Sequence, residues 1–142
     1  MNKVNPGAVI VAAVAQWLLG ALWFGAIFGK TWVAGSRFTP QEVEYYQTHH
    51  SPWPFVITFV ADLVMALVIA KIIAAVGQWS AGGGARVGLM AGFGIAFTAM
   101  VTNMVFEYRT LSFILISAAY PVVACIIMGA ILGAWRPKGA IT

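Results

Sequence analysis

Asp62 is the residue whose type is most unusual for its surroundings, because it interrupts a long apolar run of the sequence. If that run crosses a membrane, an ionisable side chain inside it costs about 2.5–3.5 kcal/mol on insertion scales, so it needs a partner or a proton. Thr58 lies one helical turn before it on the same helix face. Lys71 falls on nearly the opposite face and can extend to the membrane surface, so it does not pair with Asp62.

Other polar residues in or beside the apolar runs are the candidate partners of Asp62. Asn103 and Glu107 are four residues apart on one helix face, and Arg109 follows them in a short connection. We expect these groups to form one polar cluster in the outer half of the molecule, with Asp62 bonded to Asn103 or Arg109. The predicted ligand or ion site comprises Asp62, Asn103, Glu107, Arg109, Tyr120 and Gln16.

Two interpretations of this cluster stay open. Buried polar side chains in small helical bundles can serve only to fix the relative positions of the helices. Alternatively, the cluster is a small-solute or ion site that opens outward, with a protonatable carboxylate at its base. The sequence does not separate the two interpretations decisively.

The sequence lacks the residue patterns of common enzymes. It has no H-E-x-x-H segment, no phosphate-binding loop, no Ser-His-Asp set and no pair of carboxylates at a productive spacing. His49 and His50 are adjacent, so on a helix their side chains point about 100° apart and do not bind one metal ion without distortion. We predict no enzyme activity, no catalytic residues, no metal site and no cofactor, and we interpret the two histidines as interfacial.

The composition identifies the class of protein. Of the 142 residues, 61% are hydrophobic and 8% are charged, whereas soluble domains have about 45–50% apolar and about 25% charged residues. These proportions exclude a soluble domain and an intrinsically disordered chain. The net charge of +4 comes from scattered basic residues without a basic stripe, so we expect no nucleic-acid partner. The partner is the lipid bilayer.

Four apolar runs are long enough to cross that bilayer, since a helical span needs about 20 residues. They cover about 6–28, 54–76, 85–106 and 111–135. We predict an all-α integral membrane protein with one domain over residues 1–142, in which four transmembrane helices form an up-down bundle. The first run continues well past Ala13–Ala15, a segment that resembles a signal-peptide cleavage site, so we expect a retained anchor.

The distribution of Lys and Arg predicts the orientation of the bundle. Positive residues concentrate on the cytoplasmic side of membrane proteins. Three basic residues lie on the side of the first and third connections: Lys30, Arg37 and Arg109. Five lie on the side of both termini: Lys3, Lys71, Arg86, Arg136 and Lys138. We therefore expect a protein of the bacterial cytoplasmic (inner) membrane with both termini in the cytoplasm.

Small residues repeat at four-residue spacing in the apolar runs. In lipid, such stripes let helix backbones approach closely, which is a main source of helix association. The stripes can pack within one chain or against a second copy. Four short helices do not enclose a wide pathway alone, so a conducting role would favour a homo-oligomer. The predicted packing glycines are Gly84, Gly88, Gly92, Gly129, Gly133, Gly25 and Gly29.

The first connection contains a strong helix-start signal. Thr39 suits the N-cap, Pro40 suits the first helical position, and Glu42 completes a capping box. We predict a short amphipathic helix over about 40–49 in this extracytoplasmic connection, lying on the membrane interface.

Several segments resemble a known family. Trp23-Phe24-Gly25, followed by Phe28-Gly29-Lys30-Thr31-Trp32, is similar to the signature of small bacterial four-helix membrane proteins catalogued as domain of unknown function 1761. Asp62, the run from Asn103 to Arg109, Tyr120 and the final M-G-A-I-L-G-A-W also resemble its pattern. The resemblance implies a four-helix fold in a bacterial inner membrane and implies no activity.

Two functions are compatible with these observations. The first is an oligomeric transporter or channel for a small solute or ion, with an outward-facing polar site around Asp62. The alternative is a non-conducting membrane module that binds a protein partner or lipid through the helix of the first connection.

Overall fold

The computed structural model describes residues 3–139, and all regular secondary structure in that range is helical. Four of its helices are long and apolar enough to cross a membrane. The all-helical class and the four apolar spans are therefore confirmed. The helices are α1 (Pro6–Ile27), α2 (Gly29–Gly35), α3 (Pro40–Thr48), α4 (Trp53–Val76), α5 (Ala81–Phe106) and α6 (Leu111–Ala134).

Side-chain caps determine where the spans begin. The Asn5 side chain accepts hydrogen bonds from the first backbone N–H groups of α1, and Pro6 follows at the first helical position. The Ser80 hydroxyl accepts the N–H of Gly83 at 3.0 Å, so α5 begins at Ala81. The sequence predicted this start near residue 85. The predicted start was four residues too far along the chain, because the glycines after Ser80 are typical of a loop. In the structure they are helical, since Ser80 caps the helix before them.

Two spans contain a widened, π-helical turn, at Leu22–Ile27 in α1 and at Gly92–Phe97 in α5. A π turn holds one more residue than an α turn, so the helix faces after it are rotated by about 100°. Such turns are frequent at functional sites. The turn in α1 carries Phe24 and Gly25, which line the cavity described below.

The helices pack around α6, which contacts α1, α2, α4 and α5. The contact between α5 and α6 is the closest. A Cβ atom on Gly84 would overlap the carbonyl oxygen of Gly129, and one on Gly88 would overlap that of Cys125. The backbones therefore touch with no side chain between them, as small-residue packing in lipid allows. The α5–α6 contact includes Gly84, Gly88, Gly92, Gly129 and Gly133.

Gly25 and Gly29 do not belong to such a contact within the chain, and packing of these two glycines against a second copy stays a prediction. A Cβ on Gly25 would have no atom within 4 Å. At Gly29 the close neighbour is the Phe24 carbonyl of the same chain segment, 2.8 Å from an ideal Cβ position. The reason is the π turn between Leu22 and Ile27, which changes the face that these residues occupy.

The two ends of the molecule are packed differently. We call the end near Pro6 and Ala134 the terminal side, and the end that holds α2, α3 and the α5–α6 connection the loop side. The buried core lies on the terminal side, and it is made of small and aliphatic side chains. Its members are Ala8, Val9, Ala12, Ala13, Ala66, Ile69, Ala70, Ile73, Val87, Cys125, Met128 and Leu132.

On the loop side, α2 is fastened to α6 and α3 projects beyond it. The Thr110 hydroxyl donates to the carbonyl of Gly35 at 2.7 Å. At the start of α3, Thr39 and Glu42 form a reciprocal capping box. Tyr45 and Tyr46 are 58% and 64% exposed. A helix covers Pro40–Thr48, while its role as an amphipathic helix on the outer membrane interface stays a prediction.

Candidate functional site

A cavity of about 560 Å³ lies between α1, α4 and α6 on the loop side. Small-molecule sites are concave, mostly apolar, about 300–1,000 Å³ in volume, and contain a few convergent polar groups. This cavity has all of these properties. It is lined by Trp17, Gly20, Ala21, Phe24, Gly25, Pro54, Phe55, Thr58, Asp62 and Tyr120.

The cavity exists because α1 and α4 change residue type along their length. Toward the terminal side, α1 presents Ala12 and Ala13, and α4 presents Ala66 and Ala70, all of them buried. Toward the loop side, large rings replace these small side chains. Trp17 and Phe59, for example, meet edge to face with centroids 6.4 Å apart. The rings keep the two helices apart, and the small residues of α1 at Gly20, Ala21 and Gly25 leave the intervening space open.

Asp62 lies at the base of this cavity. It is eight residues after Pro54, or about 12 Å along the axis of α4. No residue of α4 before it is buried, whereas Asp62 itself is only 7% exposed. Within residues 3–139 its carboxylate makes no hydrogen bond and no ion pair. Asp62 is therefore an acidic residue that is more than nine-tenths buried, and its carboxylate has no hydrogen-bond or ion-pair partner and lines an open space.

Tyr120 and Gln16 lie at the same level. The Tyr120 hydroxyl donates to the backbone carbonyl of Gln16 at 3.0 Å. Gln16 is 3% exposed and is the last buried residue of α1. Its side-chain oxygen has no hydrogen-bond partner within the described part of the chain. Asp62, Tyr120 and Gln16 thus form a polar layer between the cavity and the tightly packed terminal side.

Aromatic residues connect the cavity to the loop-side surface. The Tyr120 ring contacts Phe24 at 5.2 Å, Phe24 contacts Trp32 at 5.4 Å, and Trp32 stacks on Phe113 at 5.3 Å between centroids. The Trp23 indole donates to the carbonyl of Ile116 at 2.9 Å. These contacts make one wall of the cavity rigid.

Arg109 does not approach Asp62, so the predicted bond between them was wrong. The guanidinium pairs with Glu107 at 3.2 Å and donates to the carbonyl of Ser36. It also lies over the rings of Phe38 and Phe113 at 5.6 and 5.3 Å. The physical reason is depth, because Arg109 sits in the connection at the loop-side end while Asp62 lies about 12 Å further in. Glu107 and Arg109 therefore fasten the loop side.

Asn103 is also separate from Asp62. It is exposed on α5, beside a shallow depression formed with Gly94, Thr98 and Thr102. In a regular α-helix, the 11 residues from Gly92 to Asn103 would return to nearly the same face. The π turn at Gly92–Phe97 adds a residue and rotates Asn103 away from α6. Asn103, Glu107 and Arg109 therefore lie apart from Asp62, whereas Tyr120 and Gln16 lie at its level; that these three residues form a ligand or ion site stays a prediction.

The aromatic lining was missed by the sequence interpretation, although a signal for it exists. Trp17, Gly20 and Phe24 are spaced three and four residues apart, so they share one helix face. Phe55, Thr58 and Asp62 repeat that spacing on α4. Two facing stripes that combine rings, small residues and one acid indicate a cavity more directly than a count of polar residues does.

Residues 7–133 match the model of a family described as protein of unknown function (DUF1761). The chain belongs to this family. The resemblance found in the sequence is thereby confirmed. No curated protein and no solved structure matches the chain.

In this DUF1761 protein, the residues that carry the resemblance build the loop-side wall. Trp23 bonds to the backbone of α6, and Trp32 donates to the Ser117 hydroxyl at 2.9 Å. Gly29 lies where its backbone passes close to the Phe24 carbonyl, at the bend between α1 and α2. Pro121 removes one backbone N–H from α6 directly after Tyr120, and both indoles bind in the turn that precedes it. The signature segment therefore fastens the α1–α2 bend to α6.

Proposed function

We propose that this protein is a carrier of the bacterial inner membrane that binds a small solute in the Asp62 cavity. The observation that carries the proposal is the buried, unpartnered Asp62 carboxylate at the base of a space of about 560 Å³. A scaffold that only fixes helix positions would bond its buried polar groups to one another, since an unsatisfied polar group in a membrane is costly. Asp62 instead faces a cavity of ligand size.

The chemistry of an isolated carboxylate suggests how such a carrier works. In a medium of low dielectric constant, the negative charge has to be neutralised by a proton or by a bound cation. We infer that Asp62 holds a proton when the cavity is empty and releases it when a cationic solute binds. The exchange would couple solute movement in one direction to proton movement in the other.

The orientation of the carrier follows from its charges. Basic residues are more numerous on the terminal side, which favours both termini in the cytoplasm. With the four spans as an up-down bundle, α2, α3 and the mouth of the cavity then lie on the outer face of the membrane. The solute would reach Asp62 from that face.

A second copy of the chain completes the proposal. In the most hydrophobic stretch of α5, 6% of the residues are buried within the chain, so the face of α5 that points away from α6 is available for another contact. Its exposed face carries Gly94, Thr98 and Asn103, which are the small and polar residue types that associate helices in lipid. We propose a homo-oligomer in which this face of α5 is the contact.

Proton-coupled flux tests the proposal. The protein is reconstituted into vesicles that contain a pH-sensitive dye, and gradients of Na⁺, K⁺ or phenethylammonium are applied separately. We expect wild-type vesicles to exchange protons for at least one of these cations, and Asp62→Asn to abolish the exchange. Glu44→Gln is the matched control, because Glu44 is an exposed acid on α3. Wild-type flux in Asp62→Asn, or no flux in wild type with any of the cations, would overturn the proposal.

A second candidate function has one observation in its favour. The exposed rings of Tyr45 and Tyr46 on the capped helix α3 form a surface beyond the bundle, and a groove of about 470 Å³ separates α3 from α2. This arrangement suits a non-conducting module that binds a protein partner or lipid through α3. Deleting residues 39–50 should then abolish co-purification of a stable partner, whereas the carrier function predicts that ligand binding at Asp62 survives the deletion.

A further inference from the structure

We propose that the ligand of the cavity is a small organic ammonium cation with an apolar or aromatic substituent. This inference rests on the proposed function, because it names the class of solute that the Asp62 cavity takes.

Apart from the proton on Asp62, which the ligand displaces, every side-chain N–H or O–H group that lines the cavity already donates to a backbone carbonyl. The Trp17 indole and the Thr58 hydroxyl both donate to the carbonyl of Phe55, at 3.3 and 3.0 Å. The Tyr120 hydroxyl donates to the carbonyl of Gln16 at 3.0 Å. With Asp62 ionised, the side-chain oxygens of the lining are left as acceptors only. A ligand that fits this cavity therefore has to bring its own donors.

The charge of the lining points to the same class of ligand. Asp62 is the only charged residue among those that line the cavity, and none of the described lining residues is basic. An anion would meet a carboxylate and no free donor, so it is excluded. A neutral solute would leave the proton on Asp62 and gain no ion pair, whereas a cation that displaces the proton pairs with the carboxylate. A single positive charge neutralises the site.

The walls of the cavity suit an organic cation. Trp17, Phe24, Phe55 and Tyr120 place four aromatic rings around the space. Aromatic faces attract ammonium groups through the ring quadrupole, and they also pack against apolar substituents. The volume of about 560 Å³ is larger than one ammonium group needs, so a substituent has to fill the rest.

A bare metal ion fits less well. Hard cations replace their water shell with several oxygen ligands, six to eight in the case of Ca²⁺. The side chains of the lining supply oxygen only from Thr58, Asp62 and Tyr120. An ammonium group on an organic substituent needs no such shell, because it has at most three N–H donors and so needs at most three acceptors. The ligand set therefore favours the organic cation.

Binding by the purified protein tests the inference independently of transport. The protein is placed in nanodiscs of phosphatidylcholine, which carry no net charge, and titrated calorimetrically with three probes of nearly equal size. The probes are phenethylammonium, phenethyl alcohol and phenylacetate, and empty nanodiscs give the background. We expect phenethylammonium to bind at least about tenfold more tightly than phenethyl alcohol, and phenylacetate not to bind.

Variants then assign the binding to Asp62. Asp62→Asn keeps the shape of the side chain and removes its charge, so we expect it to weaken phenethylammonium binding about tenfold or more. Glu44→Gln, on the exposed face of α3, should leave the affinity unchanged. If phenethyl alcohol or phenylacetate binds wild type as tightly as phenethylammonium, the inference is wrong. This comparison uses wild type alone, so it decides the matter even if Asp62→Asn does not fold.

The outcome also separates this inference from the carrier proposal. Binding of phenethylammonium without any cation flux in vesicles would support the ligand class and overturn the carrier. Flux of Na⁺ or K⁺ without phenethylammonium binding would support the carrier and overturn the ligand class.

Discussion

The terminal side and the loop side of this protein use the same four spans in opposite ways. On the terminal side, Gly84 and Gly88 of α5 bring that helix into backbone contact with α6, and α1 and α4 bury small alanine side chains in the core. On the loop side, rings of Trp17, Phe24 and Phe55 hold the helices apart around a cavity. Small side chains close the bundle at one end, and large ones open it at the other.

This contrast suggests a division of labour between the two sides. In lipid, helices associate through close packing, because burial of apolar surface gives little net driving force. The terminal side has that packing, so it should supply most of the stability. The loop side holds the unpartnered Asp62, so it should supply the function. The polar layer of Gln16, Asp62 and Tyr120 marks the boundary between them.

The largest effect is expected where the backbones touch. Gly88→Ala places a methyl group against the carbonyl of Cys125, so α5 and α6 have to separate. Overpacking of this kind costs typically about 1–3 kcal/mol, and a rigid backbone neighbour favours the upper end. We expect a clear fall in the unfolding midpoint of the protein in detergent, measured by thermal or denaturant melting.

Gly82→Ala is the matched control for that substitution. Gly82 lies on the same helix, and a Cβ there would have no atom within 4 Å. Alanine also favours helix more than glycine does, by about 1 kcal/mol. The control should therefore be as stable as wild type or more so. Equal losses in both variants would show that the α5–α6 contact is not what holds the terminal side together.

A smaller effect is expected at the fastening of the loop side. Arg109→Lys keeps the positive charge but loses the flat guanidinium that lies over Phe38 and Phe113 and reaches Ser36. Such contacts are worth about 0.5–1 kcal/mol at a partly exposed site. We expect faster limited proteolysis of the segment that joins α2 to α3, with little change in the global unfolding midpoint.

Glu107→Gln separates the ion pair from the stacking. Glu107 pairs with Arg109 at 3.2 Å, but its side chain is 54% exposed. Exposed ion pairs contribute about 0–1 kcal/mol. Proteolysis in Glu107→Gln should therefore change less than in Arg109→Lys. The opposite order would mean that the ion pair, and not the ring contacts, holds the segment.

The sequence predicts the spans well and the site only in part, because spans depend on local hydrophobicity and the site depends on how the helices are oriented. Apolar length defines α1, α4 and α6 to within one or two residues, because hydrophobicity is a local property. The partner of Asp62 was predicted wrongly because the π turn at Gly92–Phe97 rotates Asn103 away, and the sequence pattern does not show that turn. The sequence interpretation took polar residues as the candidate site. The aromatic residues that line the cavity could not be told apart from ordinary apolar core residues.

The smallest effect is expected in α3, which lies outside the bundle. Its stability tests whether the loop side can unfold independently of the bundle. Hydrogen bonds from the Thr39 backbone N–H and then from its hydroxyl lower the pKa of Glu42 below its ordinary value of 4.5. A carboxyl group whose pKa is lowered by folding stabilises the folded state above its unfolded pKa, and this contribution is lost as the pH falls through the folded pKa. As the pH falls below 4.5, protection of the α3 amides against hydrogen exchange, corrected for intrinsic rates, should therefore fall in wild type. Glu42→Gln cannot titrate, so its protection should not depend on pH in this range.

If wild type and Glu42→Gln respond alike, the capping box does not hold α3. If α1 and α6 lose protection together with α3, the loop side is not independent of the bundle.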